Sequence, residues 1–202
     1  VSAARPRVAV LFSGRGSNMR ALIEAAENPA YPAEIALAVS NKEDAPGLGI
    51  AKNLGVEAVC IASRNFGRDR EAHERAINTH LTDRNIDVVC LAGYMRLLTP
   101  WLVTRWSGRM LNIHPSLLPA YPGLDTHARV LAAGETRHGC TVHLVTQVMD
   151  EGPVLAQAEV PVLPGDTEET LAARVLEQEH ILYPAALAEY LQNPLPDRAP
   201  GR

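Results

Sequence analysis

The feature that most constrains the fold is an alternation. Through the first half of the chain, short aliphatic and β-branched runs at Arg7–Ser13, Glu34–Ser40, Glu57–Ile61, Asp87–Leu91 and Met110–Ile113 are separated by stretches with helical spacing. Helices over Asn18–Ala26 and Asp69–Asn85, and shorter ones over Gly47–Leu54 and Pro100–Trp106, fit between them. Ala72, Ala76, Ile77 and Leu81 recur at the interval of one helix face. Such alternation predicts βαβ units, whose crossovers make the strands parallel and set helices on both faces of the sheet. The pattern then changes. Runs at Cys140–Val145 and Val154–Val162 are joined directly by Thr146–Pro153, which favours an antiparallel extension. Asp166 or Thr167 caps a long final helix with Glu168 and Glu169 in its first turn. Leu171, Val175, Leu176, Leu187 and Leu191 give that helix an apolar stripe, and Pro184 is expected to kink or break it. The expected fold is therefore α/β, a Rossmann-like doubly wound and mostly parallel sheet with an antiparallel C-terminal extension and a long C-terminal helix. Residues 1–192 read as one domain. Residues 193–202, and the first six, lack apolar patterning and are expected to be mobile.

A chain of 202 residues with 47% apolar content buries a core without help from disulfides. No apolar run approaches a membrane span, and no signal-peptide pattern opens the sequence. Cys60, Cys90 and Cys140 lie in or beside apolar runs without CxxC spacing, so they read as buried, reduced thiols of a cytoplasmic protein with no metal bound. Net charge is −4 and no basic cluster is long enough to track a nucleic-acid backbone. The partners expected are small molecules, with neither nucleic acid nor membrane, acting on a monomer or homodimer.

The first strand runs into Ser13-Gly14-Arg15-Gly16-Ser17-Asn18, after which a helix begins. Glycines allow a sharp turn and close approach of a ligand, while the helix start leaves unpaired N–H groups of partial positive charge. A dinucleotide fingerprint needs a third glycine where Met19 stands, and an acid after the second strand where Ser40, Asn41 and Lys42 stand. A nicotinamide cofactor is disfavoured on both counts. A single phosphate monoester held by the amides of Gly16, Ser17 and Asn18 fits better.

The segment NIHPSLLP places Asn112 and His114 two residues apart at the end of a strand, on the same face. Pro115, Pro119 and Pro122 stiffen the loop beyond the strand, a setting that often carries chemistry. Asp150 sits in a second loop, MDEGPV. A carboxylate beside the imidazole favours its charged form and fixes its tautomer. Amide, imidazole and carboxylate together suit acyl-type transfer through a tetrahedral oxyanion. The other histidines read as structural: His138 and His143 on opposite faces of a strand, His127 near a helix start, and His73, His80 and His180 on helices.

Four segments, SGRGSN, LAGYMRLL, NIHPSLLPAYPG and MDEGPV, resemble the phosphoribosylglycinamide formyltransferases, in order and without large gaps from about Val8 to Leu191. NIHPSLLP marks the wider folate-dependent formyltransferases, and SGRGSN selects this branch. The resemblance implies transfer of a formyl group from 10-formyltetrahydrofolate to the primary amine of glycinamide ribonucleotide in purine synthesis. Asn112 would then polarise the formyl oxygen, His114 would donate a proton and stabilise the oxyanion, and Asp150 would favour the charged imidazole. Gly16, Ser17 and Asn18 would hold the phosphate, with Glu179 facing the ribonucleotide. Met95, Arg96, Leu97 and Leu98, together with Thr146, Gln147, Val148, Met149 and Asp150, would line the folate pocket, and Arg70 would reach the cofactor. Leu176 stands where the family pattern has glutamine, and Asp125 where it has histidine. Neither touches the catalytic trio. The competing readings are a 10-formyltetrahydrofolate hydrolase, a formyltransferase for an aminosugar or methionyl-tRNA, and a non-catalytic phosphate-ligand binder.

Overall fold

A computed structural model describes residues 4–193. The mobile segments expected at the two ends therefore lie largely outside the described residues. Within them the order is β1 (Arg7–Phe12), α1 (Ser17–Ala26), β2 (Glu34–Ser40), α2 (Gly47–Asn53), β3 (Glu57–Cys60), a 3-10 turn (Ser63–Phe66), α3 (Arg70–Asp83), β4 (Val88–Leu91), α4 (Pro100–Arg105), β5 (Met110–His114), α5 (Thr126–Ala132), β6 (Arg137–Leu144), β7 (Val154–Pro161) and α6 (Glu168–Gln192). The strands form one seven-stranded sheet in the order β3-β2-β1-β4-β5-β6-β7. The first five pair parallel, and β6 and β7 add antiparallel.

Strand periodicity divides the core. On β1, Val8, Val10 and Phe12 pack with Met19, Leu22, Tyr183 and Leu187 on the face covered by α1 and α6. Ala9 and Leu11 meet Ile77, Leu81, Leu102 and Trp106, from α3 and the α4 region, on the other. The helical partners on both sides are at most 3% exposed, so the central strand is sealed on both faces, as a doubly wound sheet requires. A third cluster, Val130, Cys140, Val160, Leu171 and Val175, anchors the antiparallel extension beneath α5 and α6.

The differences from the sequence expectation have local causes. Helix α6 is capped by Thr167, whose side chain accepts from the Thr170 amide, and it is not broken at Pro184. Tyr183, Ala186, Leu187 and Tyr190 around the proline are buried against the sheet, and this packing outweighs one missing intrahelical bond. Cys60 is exposed, contrary to the buried thiol expected, because β3 is the edge strand. Helix α5 begins at Thr126, beside the helix start expected near His127, and β6 starts three residues earlier than its aliphatic stretch, at Arg137. Among the described residues no helix is long and apolar enough to cross a membrane.

Candidate active site

The loops after β4 and β5 and the β6–β7 connection, with Asn18 of α1 at one end, surround a cavity of about 570 Å³. Strand order reverses between β1 and β4, the place where open α/β sheets leave a crevice at their strand ends. Loops from both sides are tied there: the Ser13 hydroxyl donates to Asn41 Oδ1 at 2.6 Å and accepts from the Met95 amide at 2.8 Å.

Asn112 and His114 both line the cavity from β5, on the shared face their spacing predicts. Asp150 arrives from the other loop in a left-handed conformation, φ 58°, and anchors one carboxylate oxygen on the Gly123 amide at 2.8 Å. Gly152 makes this return possible, since a Cβ there would lie 1.7 Å from the Leu144 carbonyl oxygen. The carboxylate ends between two imidazoles, 3.6 Å from His114 Nδ1 and 3.7 Å from His143 Nε2. All three side chains are at most 8% exposed.

Hydrogen bonds fix how each ring presents itself. His114 Nε2 lies 3.0 Å from the Tyr121 carbonyl, which can only accept, so Nε2 carries a proton and Nδ1 is the nitrogen left to exchange one. His143 Nδ1 likewise donates to the Leu144 carbonyl at 3.0 Å. Burial lowers the His143 pKa, opposed by that bond and by Asp150, so the ring is neutral and its Nε2 lone pair accepts from Asn112 Nδ2 at 3.1 Å. Asn112 is thereby turned with its amide nitrogen toward His143 on the cavity wall, a bond that uses one of its two protons.

His143 is the residue that sequence reasoning assigns to structure and that the fold places in the cavity. Its cross-strand partner is Asn112, and Thr141 stands opposite His114. Pairing across β5 and β6 is the missing signal, which periodicity within one strand does not carry. His138 does not line the cavity: its Nε2 meets, at 3.0 Å, Nδ1 of His127, which does.

At the α1 end, Gly16 is the N-cap with φ 71°, and no side chain caps the helix, so its first amides point outward uncapped. Asn18 reaches the cavity and donates from Nδ2 to Glu179 Oε2 at 2.7 Å, joining α1 to α6. Burial raises the Glu179 pKa, partly offset by this bond. Gly16 and Ser17 do not line the main cavity, and Ser17 borders a separate groove between α1 and α6. Met95, Arg96, Leu97, Leu98, Thr146, Gln147, Val148 and Met149 all line the main cavity. Met95, Leu97, Val148 and Met149 are more than half exposed, an apolar rim suited to a flat ligand. Arg70 lies just outside, its Nη1 donating to the Leu97 carbonyl at 3.5 Å. Leu176 is half-buried and Asp125 lies on the cavity wall at the start of α5.

A preset amide donor, an imidazole with one exchangeable nitrogen and a carboxylate beside it, set in an apolar cavity of an α/β sheet, define an enzyme of acyl-type group transfer. Similarity to known proteins narrows that class, and the chain belongs to the formyl transferase family, whose model matches residues 6–187. It is 44% identical over 181 residues to the phosphoribosylglycinamide formyltransferase of Escherichia coli, covering 90% of this chain and 85% of that protein. It is 46% identical over 190 residues to the trifunctional purine biosynthetic protein adenosine-3 of Drosophila pseudoobscura pseudoobscura, where the match covers 93% of this chain but only 14% of the relative. The crystal structure of phosphoribosylglycinamide formyltransferase from Brucella melitensis superposes with a TM-score of 0.89 at 53% identity, covering 95% of this chain and 98% of that one.

Proposed function

We propose that this enzyme transfers the formyl group of 10-formyltetrahydrofolate to the primary amine of glycinamide ribonucleotide, a step of purine biosynthesis. The observation that carries the reading is the meeting of His114 Nδ1, Asp150 and the Asn112 amide at one wall of the cavity. The amine nitrogen attacks the formyl carbon, and the carbonyl electron pair moves to oxygen. Asn112 Nδ2 and protonated His114 Nδ1 donate to that oxygen, while the Asp150 carboxylate balances the imidazolium charge. Collapse of the tetrahedral intermediate breaks the bond to N10 of the folate, which takes up a proton as the attacking nitrogen releases one. A preset oxyanion donor contributes about 10²- to 10³-fold and a positioned acid about 10²- to 10⁴-fold, so aligning the two substrates supplies much of the remainder.

Two ends of the cavity suit the two substrates. The apolar rim of Met95, Leu97, Val148 and Met149, with Leu98, Arg96, Thr146 and Gln147 behind it, takes the pteridine and benzoyl groups, and Arg70 meets the carboxylate tail. Asn18 and Glu179 receive the ribonucleotide, its phosphate on the uncapped amides of Gly16, Ser17 and Asn18. Free thiols and the lack of a membrane-crossing helix among the described residues suit a cytoplasmic location. The test is to incubate the pure protein with 10-formyltetrahydrofolate, with and without glycinamide ribonucleotide. Loss of the formyl group only when the amine is present supports the transferase, loss without it indicates a hydrolase, and no loss rejects both.

A further inference from the structure

We propose that Gln157, on β7 and two strands away from the catalytic imidazole, is a positioning residue that sets the tautomer of His114. Strand register puts the two in one row, with His114 opposite Thr141 on β6 and Thr141 opposite Gln157. The Thr141 side chain is fully buried. Its hydroxyl donates to the Ser116 carbonyl at 2.7 Å and accepts from the Leu118 amide at 3.0 Å and from Gln157 Nε2 at 2.9 Å. One donor and two acceptor sites are all a hydroxyl has, so the rotor has a single satisfied position. The second Nε2 proton of Gln157 goes to the Leu118 carbonyl at 2.8 Å.

Two side chains thus hold three polar groups of the loop after His114. The loop is closed further on, where the Ser116 hydroxyl donates to the Ala120 carbonyl at 2.7 Å. The next carbonyl, that of Tyr121, accepts from His114 Nε2 at 3.0 Å. Gln157 therefore acts at a distance: it points the Thr141 hydroxyl at Ser116, fixes Leu118, and keeps the Tyr121 carbonyl where it holds the proton on Nε2. Nδ1 is left facing Asp150. Gln157 itself is solvent-exposed and does not line the cavity, so it touches neither substrate. A glutamine with both amide protons committed to one loop, on an exposed edge strand where any polar residue is tolerated, serves that loop.

The inference rests on His114 as the proton-transferring group. Gln157→Met keeps the length of the side chain and removes both donors, at an exposed site that the core does not depend on. The expected result is a fall in kcat of about tenfold, less than the ~10²-fold that direct misplacement of a reacting group costs, with KM for both substrates changed by less than about twofold. Nitrogen-15 NMR of His114 in its neutral form is expected to show a new population protonated on Nδ1. Thr141→Val is expected to repeat both effects, and Thr141→Ser, which keeps the hydroxyl, to restore them. Wild-type kcat in Gln157→Met, or a lowered kcat with the His114 tautomer unchanged, overturns the inference. Failure of the underlying reading looks different, since His114→Ala would then retain full turnover whatever Gln157 does.

Discussion

Replacing Asp150 by asparagine isolates its charge from its place in the fold. The amide oxygen of an asparagine still accepts from the Gly123 amide, now bonded to the carboxylate at 2.8 Å, so the loop keeps its anchor. The substitution removes a negative charge 3.6 Å from His114 Nδ1, between side chains that are each 8% exposed. Two unit charges at that separation interact by about 4.6 kcal/mol at the effective dielectric of about 20 that suits such sites. Water entering the cavity and the neighbouring His143 reduce the share realised in the transition state, and about 3 kcal/mol is a reasonable expectation, or ~10²-fold in rate. Asp150→Asn is therefore expected to lower kcat by about 10²-fold or somewhat more at neutral pH, with the ribonucleotide KM within about threefold, because the α1 end of the cavity is untouched. Initial rates with both substrates saturating give kcat, and titration of the ribonucleotide gives KM. A kcat within about threefold of wild type at an unchanged melting temperature refutes the reasoning, since the charge would then do nothing for the step it faces.

His143→Phe removes the acceptor that turns Asn112 and is expected to lower kcat by about 10- to 10²-fold, within the value of one oxyanion donor, with little change in folate affinity; an unaltered kcat shows that Asn112 needs no partner. Gly16→Val is expected to cost stability before it costs phosphate affinity. Position 16 has φ 71°, and a Cβ there meets Met19 Cε at 2.8 Å and Gly47 Cα at 3.1 Å, so melting temperature is the first readout and an unchanged value counts against this packing. For His138, burial and then His127 and His114 depress the pKa from 6.5 to about 4. Folding favours the neutral ring, so its contribution is complete above pH 6.5 and is lost as pH falls toward 4. Urea midpoints of wild type should drop over that window by more than those of His138→Asn, and parallel curves reject the assignment.

Much of the fold could be read from the chain because parallel strands sealed on both faces leave unbroken aliphatic runs. Every residue of β1 after Arg7 is buried, and the run Val8–Phe12 has no polar residue to disguise it. Edge position was less visible. Apart from Glu57, the run Glu57–Cys60 is apolar like the central strands, and the order of strands in the sheet is what reveals that its cysteine is open to water. The helix also runs on through Pro184, where a kink or break was expected, for a related reason. Local propensity measures the cost of one residue to a helix, whereas Tyr183 on the preceding position is fully buried and bonds the Leu91 and Leu111 carbonyls at 3.0 and 3.2 Å, a tertiary gain that no window of sequence contains.

The site divides along the same line. Asn112 and His114 announce themselves because two residues on one strand share a face by geometry alone, and Asp150 fits the chemistry that such a pair needs. His143 and Gln157 do not, because each matters only through a neighbour supplied by another strand. Seen by itself, His143 is one of several histidines in an aliphatic run. Opposite Asn112 it becomes the acceptor that decides which way an amide points. The residues that meet the reactants are thus legible as motif, while those that orient them are legible only as register. In the antiparallel extension added to the parallel sheet, that register is the pairing of β6 on β5, with His143 opposite Asn112 and Thr141 opposite His114. Shifting that register by one residue would turn His143 and Thr141 to the opposite face together, removing the acceptor from Asn112 and the hydroxyl from the loop behind His114.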